Sequence, residues 1–319
     1  MSDAGPADRR DGLLALLQIH DLHLGPVDRI GPATRWQHHP AVAALKGRLE
    51  QSVIEDLDAA GCGPGAIGPD VIGPGVVGGP AAPASLRDPA GAAAALRAIA
   101  RADLVPEVYR WVADDADLDD LVAFIAVEGG PDGGFDDLVA ACQVGLGGRA
   151  KLELARNYWD EMGNGDLAAV HTELHHRLVN ALDLPRVSRR EQPTTALERS
   201  ALGGLLATNR WLQPEMVGAL GLIELQAGPR CRKVVTALTR LSAPADALPF
   251  YIEHADVDPR HGKDWLDNAV VPLVEAEPEW GPRIVRGARW RSVVNARFFA
   301  AMADRFCRPE AALVLDQAS

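Results

Sequence analysis

Residues 247–274 read ALPFYIEHADVDPRHGKDWLDNAVVPLV. Apolar residues recur in this stretch at helical spacing, which predicts a long amphipathic helix. His254, Asp258 and His261 stand at i, i+4 and i+7, so a helix would place their side chains on one face. Two imidazoles and a carboxylate on one face can bind iron, manganese or zinc. A polar helix surface with two solvated histidines is the alternative that this stretch alone leaves open.

Pro259 interrupts the same stretch. Proline has no amide hydrogen to donate, and it disfavours helical geometry at the residue before it, here Asp258. We therefore expect a distorted segment between Tyr251 and His261 that becomes ordered when metal binds.

The rest of the chain also favours helices. Ala and Leu dominate, and no alternating strand pattern of five or more residues competes. The sequence therefore predicts an all-α fold. Eight further helical segments are predicted, at residues 41–59, 91–102, 152–162, 167–184, 195–212, 214–226, 230–241 and 282–306.

One segment breaks the helical pattern. Residues 61–83 read GCGPGAIGPDVIGPGVVGGPAAP, and glycine costs about 1 kcal/mol and proline about 3 kcal/mol in a helix interior. We expect a loop that lies on the main body; a flexible linker is the alternative. The predicted organisation is an N-terminal arm, helix and Gly/Pro-rich loop over residues 1–84, packed on a helical domain over residues 85–319.

Composition excludes several classes of protein. The 319 residues carry 32 Lys and Arg against 44 Asp and Glu, a net charge of −12, which argues against a nucleic-acid partner. No apolar run is long enough to span a membrane, and the polar N-terminus lacks the apolar core of a signal peptide. The four cysteines form no CxxC pair, so reduced thiols and a cytoplasmic protein are expected.

Further potential metal ligands lie upstream. Glu161 ends one predicted helix, and an Asn-Gly pair follows before His171 in HTELHHRLV. His171 and His175 would share a helix face, but HTELH is not the zinc motif HExxH, and a solvated face is the alternative for His175. Glu224 lies in the apolar run VGALGLIEL, where a buried carboxylate must be paired, protonated or bound to metal.

Taken in order, these residues resemble the ligand set of the heme-oxygenase-like diiron oxidases and oxygenases. In that family one region supplies Glu then His, a second supplies Glu, and a third supplies His-x3-Asp-x2-His. The text around them, LELARNYWDEMGNGD, GALGLIEL and YIEHADVDPRHGKDW, is similar as well, and the resemblance covers residues 118–306. The matching positions are Glu161, His171, Glu224, His254, Asp258 and His261.

The resemblance implies a heme-oxygenase-like helical bundle in which these six residues bind two iron ions, Fe(II) or Fe(III), with O2 as co-substrate. The amine-oxidising members carry a seventh ligand, a carboxylate upstream of the first Glu. Glu128, in AFIAVEGG, is the corresponding residue here, although it stands 33 residues before Glu161, farther than the family pattern leads us to expect. An exposed carboxylate at a helix end is the alternative for Glu128.

The resemblance also implies a small-molecule substrate in specialised metabolism. We expect a small aliphatic amino acid, oxidised at unactivated C–H bonds by desaturation or by C–N ring closure such as azetidine formation. N-oxygenation of the amine is the nearest alternative; a heme-degrading enzyme and a non-catalytic helical binding protein are the others. A homodimer and an external electron donor are left open, and no nucleic-acid or membrane partner is expected. A cation for the substrate carboxylate would come from Arg210, Arg230, Arg286 or Arg289, each of which is alternatively a surface charge.

Overall fold

The computed structural model of the chain describes residues 6–62, 86–129 and 134–307. These residues form helices, turns and connecting segments, with no strand among them, as the all-α prediction requires. The helices are α1 Pro6–Leu24, α2 Val27–Ile30, α3 Pro40–Leu57, α4 Pro89–Ala102, α5 Glu107–Asp114, α6 Leu118–Glu128, α7 Phe135–Cys142, α8 Gly148–Glu161, α9 His171–Ala181, α10 Thr194–Thr208, α11 Gln213–Arg240, α12 Pro249–Trp265, α13 Val271–Ala276 and α14 Trp280–Phe306.

The central element is α11, which packs against both α12 and α14. Glycines allow these helices to approach closely. A Cβ at Gly262 of α12 would lie 3.0 Å from the Glu224 carbonyl oxygen, and a Cβ at Gly218 of α11 would lie 1.8 Å from the Ile284 carbonyl oxygen of α14. Any larger residue at Gly218 would push α14 away, so these contacts fix where α11 presents its side chains.

Two apolar clusters surround these contacts. One contains the fully buried Trp265 and Trp290, and the other contains Tyr109, Phe124 and Phe298. Burying a large side chain stabilises a fold by about 1.5–3 kcal/mol. The two clusters therefore stabilise the packing of the central helices. Among the described residues, no helix is both long and apolar enough to cross a bilayer.

The N-terminal residues contain a helix that the sequence analysis did not assign. Leu16 and Leu17 of α1 are buried against Leu197 of α10. The leucines of GLLALLQIHDLHL lie on several sides of α1, so they produce no one-sided periodicity that would predict a surface helix. The Gly/Pro-rich stretch predicted as a loop lies, from residue 63 to its end, outside the described residues.

Predicted and observed helix boundaries differ at the two internal prolines. The sequence predicts separate helices at 214–226 and 230–241, whereas α11 runs through Pro229 without a break. The predicted helix at 247–274 is instead α12, a π-helical turn at Leu266–Val270, and α13. Pro259 lies inside α12. Packing between α11 and α12 therefore outweighs the local free-energy cost of Pro229 in α11 and of Pro259 in α12.

Candidate metal centre

The first two predicted ligands meet because of a tight connection between α8 and α9. Gly163, Asn164 and Gly165 all have positive φ angles, of 60°, 54° and 88°, which glycine and asparagine tolerate best. This turn returns the chain so that Nδ1 of His171, at the start of α9, lies 2.6 Å from Oε2 of Glu161, at the end of α8.

The predicted ligands assemble into two groups. In each group, one potential ligand atom per residue lies within 4.8 Å of the others. The two groups are Glu161, His171 and His254, and then Glu224, Asp258 and His261. The helix α12 contributes to both, because the seven residues from His254 to His261 span about 10 Å along a helix axis. The three ligand residues on one face of α12 therefore contribute to two metal-binding groups instead of one.

Each histidine of α12 has one ring nitrogen engaged with a protein acceptor. His254 Nδ1 lies 2.7 Å from the Phe250 carbonyl oxygen, and His261 Nε2 lies 2.9 Å from Oδ2 of Asp160. If these nitrogens carry the proton, as their acceptors indicate, Nε2 of His254 and Nδ1 of His261 are left as the basic atoms. Carboxylates and carbonyls orient metal-binding histidines in this way.

Glu224 is oriented by a residue that the sequence analysis missed. Asn157 Nδ2, one α8 turn before Glu161, donates a hydrogen bond of 2.8 Å to Oε1 of Glu224. The other oxygen, Oε2, faces His261 Nδ1 at 3.6 Å. No sequence signal marks Asn157, because its partner is 67 residues away.

Oδ2 of Asp258 is a buried polar atom without a hydrogen-bond partner among the described residues. Leaving such an atom without a partner is costly. Nδ1 of His171 and Nδ1 of His261 each face a carboxylate oxygen, that of Glu161 at 2.6 Å and that of Glu224 at 3.6 Å. All three belong to residues predicted as ligands, and all are of the nitrogen and oxygen types that suit iron. The residues present therefore fit a metal cation.

The electrostatics of the groups favour the same conclusion. Burial raises the pKa of Asp258 well above its ordinary value, and the nearby carboxylates of Glu224 and Glu161 raise it further. Burial together with His171 lowers the pKa of His254 to about 4. Against the lowering effect of burial, Glu224 and Asp160 raise the pKa of His261 to about 9. Without metal, bound protons therefore balance the buried carboxyl groups, and divalent cations would take the place of those protons.

Arg232 supports α12 where Pro259 weakens it. In a regular helix the amide of residue 259 would donate to the carbonyl of Ala255, but proline has no amide hydrogen. Instead Nη1 of Arg232, from α11, donates to the Ala255 carbonyl oxygen at 2.6 Å. Gly228 makes room for the proline ring, since a Cβ there would lie 2.9 Å from Cδ of Pro259. The Ala255 carbonyl oxygen, which lies between His254 and Asp258 in the sequence, therefore still accepts a hydrogen bond.

Glu128 lies outside both groups of ligand atoms. Its Oε1 accepts a hydrogen bond of 2.9 Å from the Tyr109 hydroxyl and lies 3.8 Å from Nη2 of Arg199. His175 is also outside both groups and packs its ring edge-to-face on Phe250, at 5.2 Å between centroids.

Three of the arginines named as possible substrate anchors have protein partners. Arg210 donates to the Val144 carbonyl oxygen, the buried Arg230 donates to the Asp103 carbonyl oxygen at 2.6 Å, and Arg286 pairs with Asp58 at 2.7 Å. These contacts give each arginine a structural role and identify none as a substrate anchor.

Sequence comparison agrees with this geometry. A family model described as iron-containing redox enzyme matches residues 131–295, which is more than half of the chain. The match includes the four helices that carry the two groups, α8, α9, α11 and α12. No curated protein has a significant match to the chain. The resemblance expected from the six ordered ligands is thereby confirmed at the level of the family, and this chain belongs to the iron-containing redox enzymes of the heme-oxygenase-like family.

Proposed function

We propose that the protein is a diiron, O2-dependent oxidase that removes hydrogen from unactivated C–H bonds of a small aliphatic amino acid. The observation that carries the proposal is the pair of adjacent three-residue groups, each with carboxylate and imidazole donors. One such group suits one metal ion, and two that share α12 suit two. When bound, the irons would supply the redox chemistry that reduces O2.

The chain's own residues would hold and orient this centre. Glu161, His171 and His254 would bind one iron, and Glu224, Asp258 and His261 the other. Asp160 would keep His261 in the tautomer that leaves Nδ1 basic, since the two lie 2.9 Å apart. Burial of both groups would exclude bulk water from the reacting atoms.

Electron balance requires a further reactant. Desaturation or ring closure takes two electrons and two protons from the amino acid, while reduction of O2 to water takes four of each. An external electron donor would supply the remaining two electrons. A dimer is not required by this chemistry.

The position of Glu128 favours C–H oxidation over N-oxygenation. Amine-oxidising relatives would use a seventh ligand, yet Glu128 is hydrogen-bonded by Tyr109 and faces Arg199. Glu128→Ala separates the two chemistries. A C–H oxidase should keep its iron and most of its turnover, whereas an N-oxygenase should lose iron affinity or product.

The direct test is anaerobic loading with Fe(II), followed by exposure to O2 and a chemical reductant with each of the twenty amino acids. We expect O2 consumption that rises with one or a few aliphatic amino acids, and a product two hydrogens lighter by mass spectrometry. Labelled oxygen on the substrate nitrogen would favour the N-oxygenase instead. Absence of O2 consumption with every amino acid tested would favour a binding protein.

A further inference from the structure

The exposed side of α8 is basic and apolar in a protein that is acidic overall. The chain has a net charge of −12, yet the exposed charged residues of α8 are Arg149, Lys151 and Arg156, with no acid among them. Two large apolar side chains of the same helix are also exposed, Leu152 at 69% and Trp159 at 53%. We call these five residues the α8 face.

The opposite side of α8 carries part of the candidate metal centre. Asn157 and Glu161 are both buried; the first orients Glu224, and the second belongs to a ligand group. At about 3.6 residues per turn, these two lie roughly opposite Leu152 and Trp159. A helix with its side chains is about 10 Å across, so a single helix separates the α8 face from the metal centre.

Trp159 connects the α8 face to the candidate ligands. The next residue along the chain, Asp160, lies 2.9 Å from Nε2 of His261. The indole also packs on the turn that joins α8 to α9, since a Cβ at Gly165 would lie 3.1 Å from the Trp159 ring. An electron that enters at Trp159 thus has a route of covalent bonds and one hydrogen bond to a predicted ligand.

We propose that the α8 face is the docking surface for a small acidic electron-transfer protein. This proposal rests on the proposed function in one respect, the need for an external electron donor. Charge complementarity selects the partner, because an acidic donor is attracted by the three basic residues of the face and repelled by the net negative charge of the rest of the chain. Trp and Arg are also the residue types that most often anchor protein–protein contacts.

The electron count fits a one-electron donor. Reduction of O2 to two water molecules takes four electrons and four protons. The amino acid gives two electrons and two protons, and solvent gives the other two protons. Two successive docking events give the remaining two electrons, and the donor is oxidised by one electron at each.

A double charge reversal tests the surface, and the chain offers a matched control. Arg149→Glu together with Lys151→Glu reverses two charges of the α8 face. Arg156 is left in place, because it pairs with a buried carboxylate of its own helix at 3.0 Å. The control is Arg29→Glu together with Arg35→Glu, which changes the net charge equally at exposed residues of the N-terminal region, where the turn that contains Arg35 packs on α1 and α3.

Binding of the full-length apo protein needs neither iron nor turnover. The probes are two acidic proteins, a plant-type ferredoxin and a flavodoxin. We expect at least one of them to bind at low ionic strength, with an affinity that falls as salt is added. The reversal on the α8 face should weaken binding roughly tenfold, and the control reversal should not. Trp159→Gln should also weaken binding, whereas Trp36→Gln, at a tryptophan that is 50% exposed, should not.

Anaerobic stopped-flow reduction of the iron-loaded, oxidised protein is the second measurement. With the bound probe as donor at limiting concentration, the reversal on the α8 face should slow reduction by roughly the same factor as it weakens binding. Dithionite, a small reductant that needs no docking surface, should reduce the wild type and this variant at nearly the same rate.

Several results would overturn the docking surface. They are no binding of either probe, equal binding by the wild type and the α8-face variant, and a wild-type dimer in sedimentation that the α8-face reversal dissociates, since the face would then join two copies of this chain. If iron is bound and reduced by dithionite but not by a bound probe, the docking surface alone fails. If a probe binds through the α8 face but the protein holds no iron, the proposed function fails and the electron-donor role of the face fails with it.

Discussion

The contact between Arg232 and the Ala255 carbonyl leads to a sharp prediction for stability. Ala255 is buried, with 4% of its surface exposed, and its carbonyl receives Nη1 of Arg232 at 2.6 Å. Arg232→Met keeps the aliphatic stem and removes the donor. A hydrogen bond from a charged group contributes about 1.5–3 kcal/mol, and an unsatisfied buried carbonyl costs about 1–3 kcal/mol. Because Arg232 itself is exposed to solvent, we expect a loss near the low end, about 1–2 kcal/mol.

Pro259→Ala should make Arg232 largely dispensable. Alanine at 259 restores the amide that donates to the Ala255 carbonyl in a regular helix. In the Pro259→Ala background, Arg232→Met should therefore cost little, which gives a coupling of about 1 kcal/mol between the two positions. Arg232→Lys, which keeps one charged donor, should be milder than Arg232→Met.

The assay is urea unfolding, monitored by circular dichroism. It compares the wild type, Arg232→Met, Pro259→Ala and the double variant. Chelator is present throughout, because bound metal would add its own stabilisation. The reasoning is refuted if Arg232→Met costs the same free energy with Pro259 and with alanine there, within the usual additivity of about 0.3–0.5 kcal/mol.

Other residues give further expectations. Asp160→Asn should weaken iron binding by roughly 10–100-fold, because Asp160 orients His261. The control Asp256→Asn, at an exposed residue, should leave the iron affinity unchanged. Competition with a chelator measures the iron affinity of each variant, and equal affinities would contradict the orienting role of Asp160. Burial lowers the pKa of His20, with Glu50 opposing it. A folded pKa below the ordinary value means that this group costs no stability above pH 6.5 and costs progressively more as pH falls below it. His20→Gln should therefore flatten the fall in unfolding free energy between pH 7.5 and 5.5, and an unchanged slope would show that His20 does not contribute.

The amino-acid sequence was sufficient to predict the all-α fold, and its resemblance to the diiron family selected the six residues that lie in the two groups. The spacing of His254, Asp258 and His261 along one helix is a local property, so it could be read directly. Their division between two positions could not, because it depends on where α8 and α11 place Glu161 and Glu224. Several carboxylates lie near the candidate histidine ligands in the sequence, and any of them could accept a hydrogen bond from an imidazole. The packing of α8 on α12 brings Asp160 to His261.

The contacts between distant residues that offset Pro229 and Pro259 also could not be predicted from the sequence. Pro229 predicts a break in a helix, but α11 continues because α12 and α14 pack along its length. Pro259 predicts a weak segment, yet the donor that offsets it comes from Arg232, 23 residues before Ala255. A single sequence shows where a backbone partner is missing; it does not show which side chain replaces it.

The measurement that tests the central claim most directly is iron stoichiometry. Apo protein is loaded anaerobically with iron-57 Fe(II), and bound iron is counted by elemental analysis and resolved by Mössbauer spectroscopy. The account predicts about two iron ions per chain in the wild type. It predicts loss of one of them in His261→Ala and no loss in His176→Ala, whose histidine is exposed and outside both groups. A wild-type protein that binds one iron or none under these conditions would contradict the account.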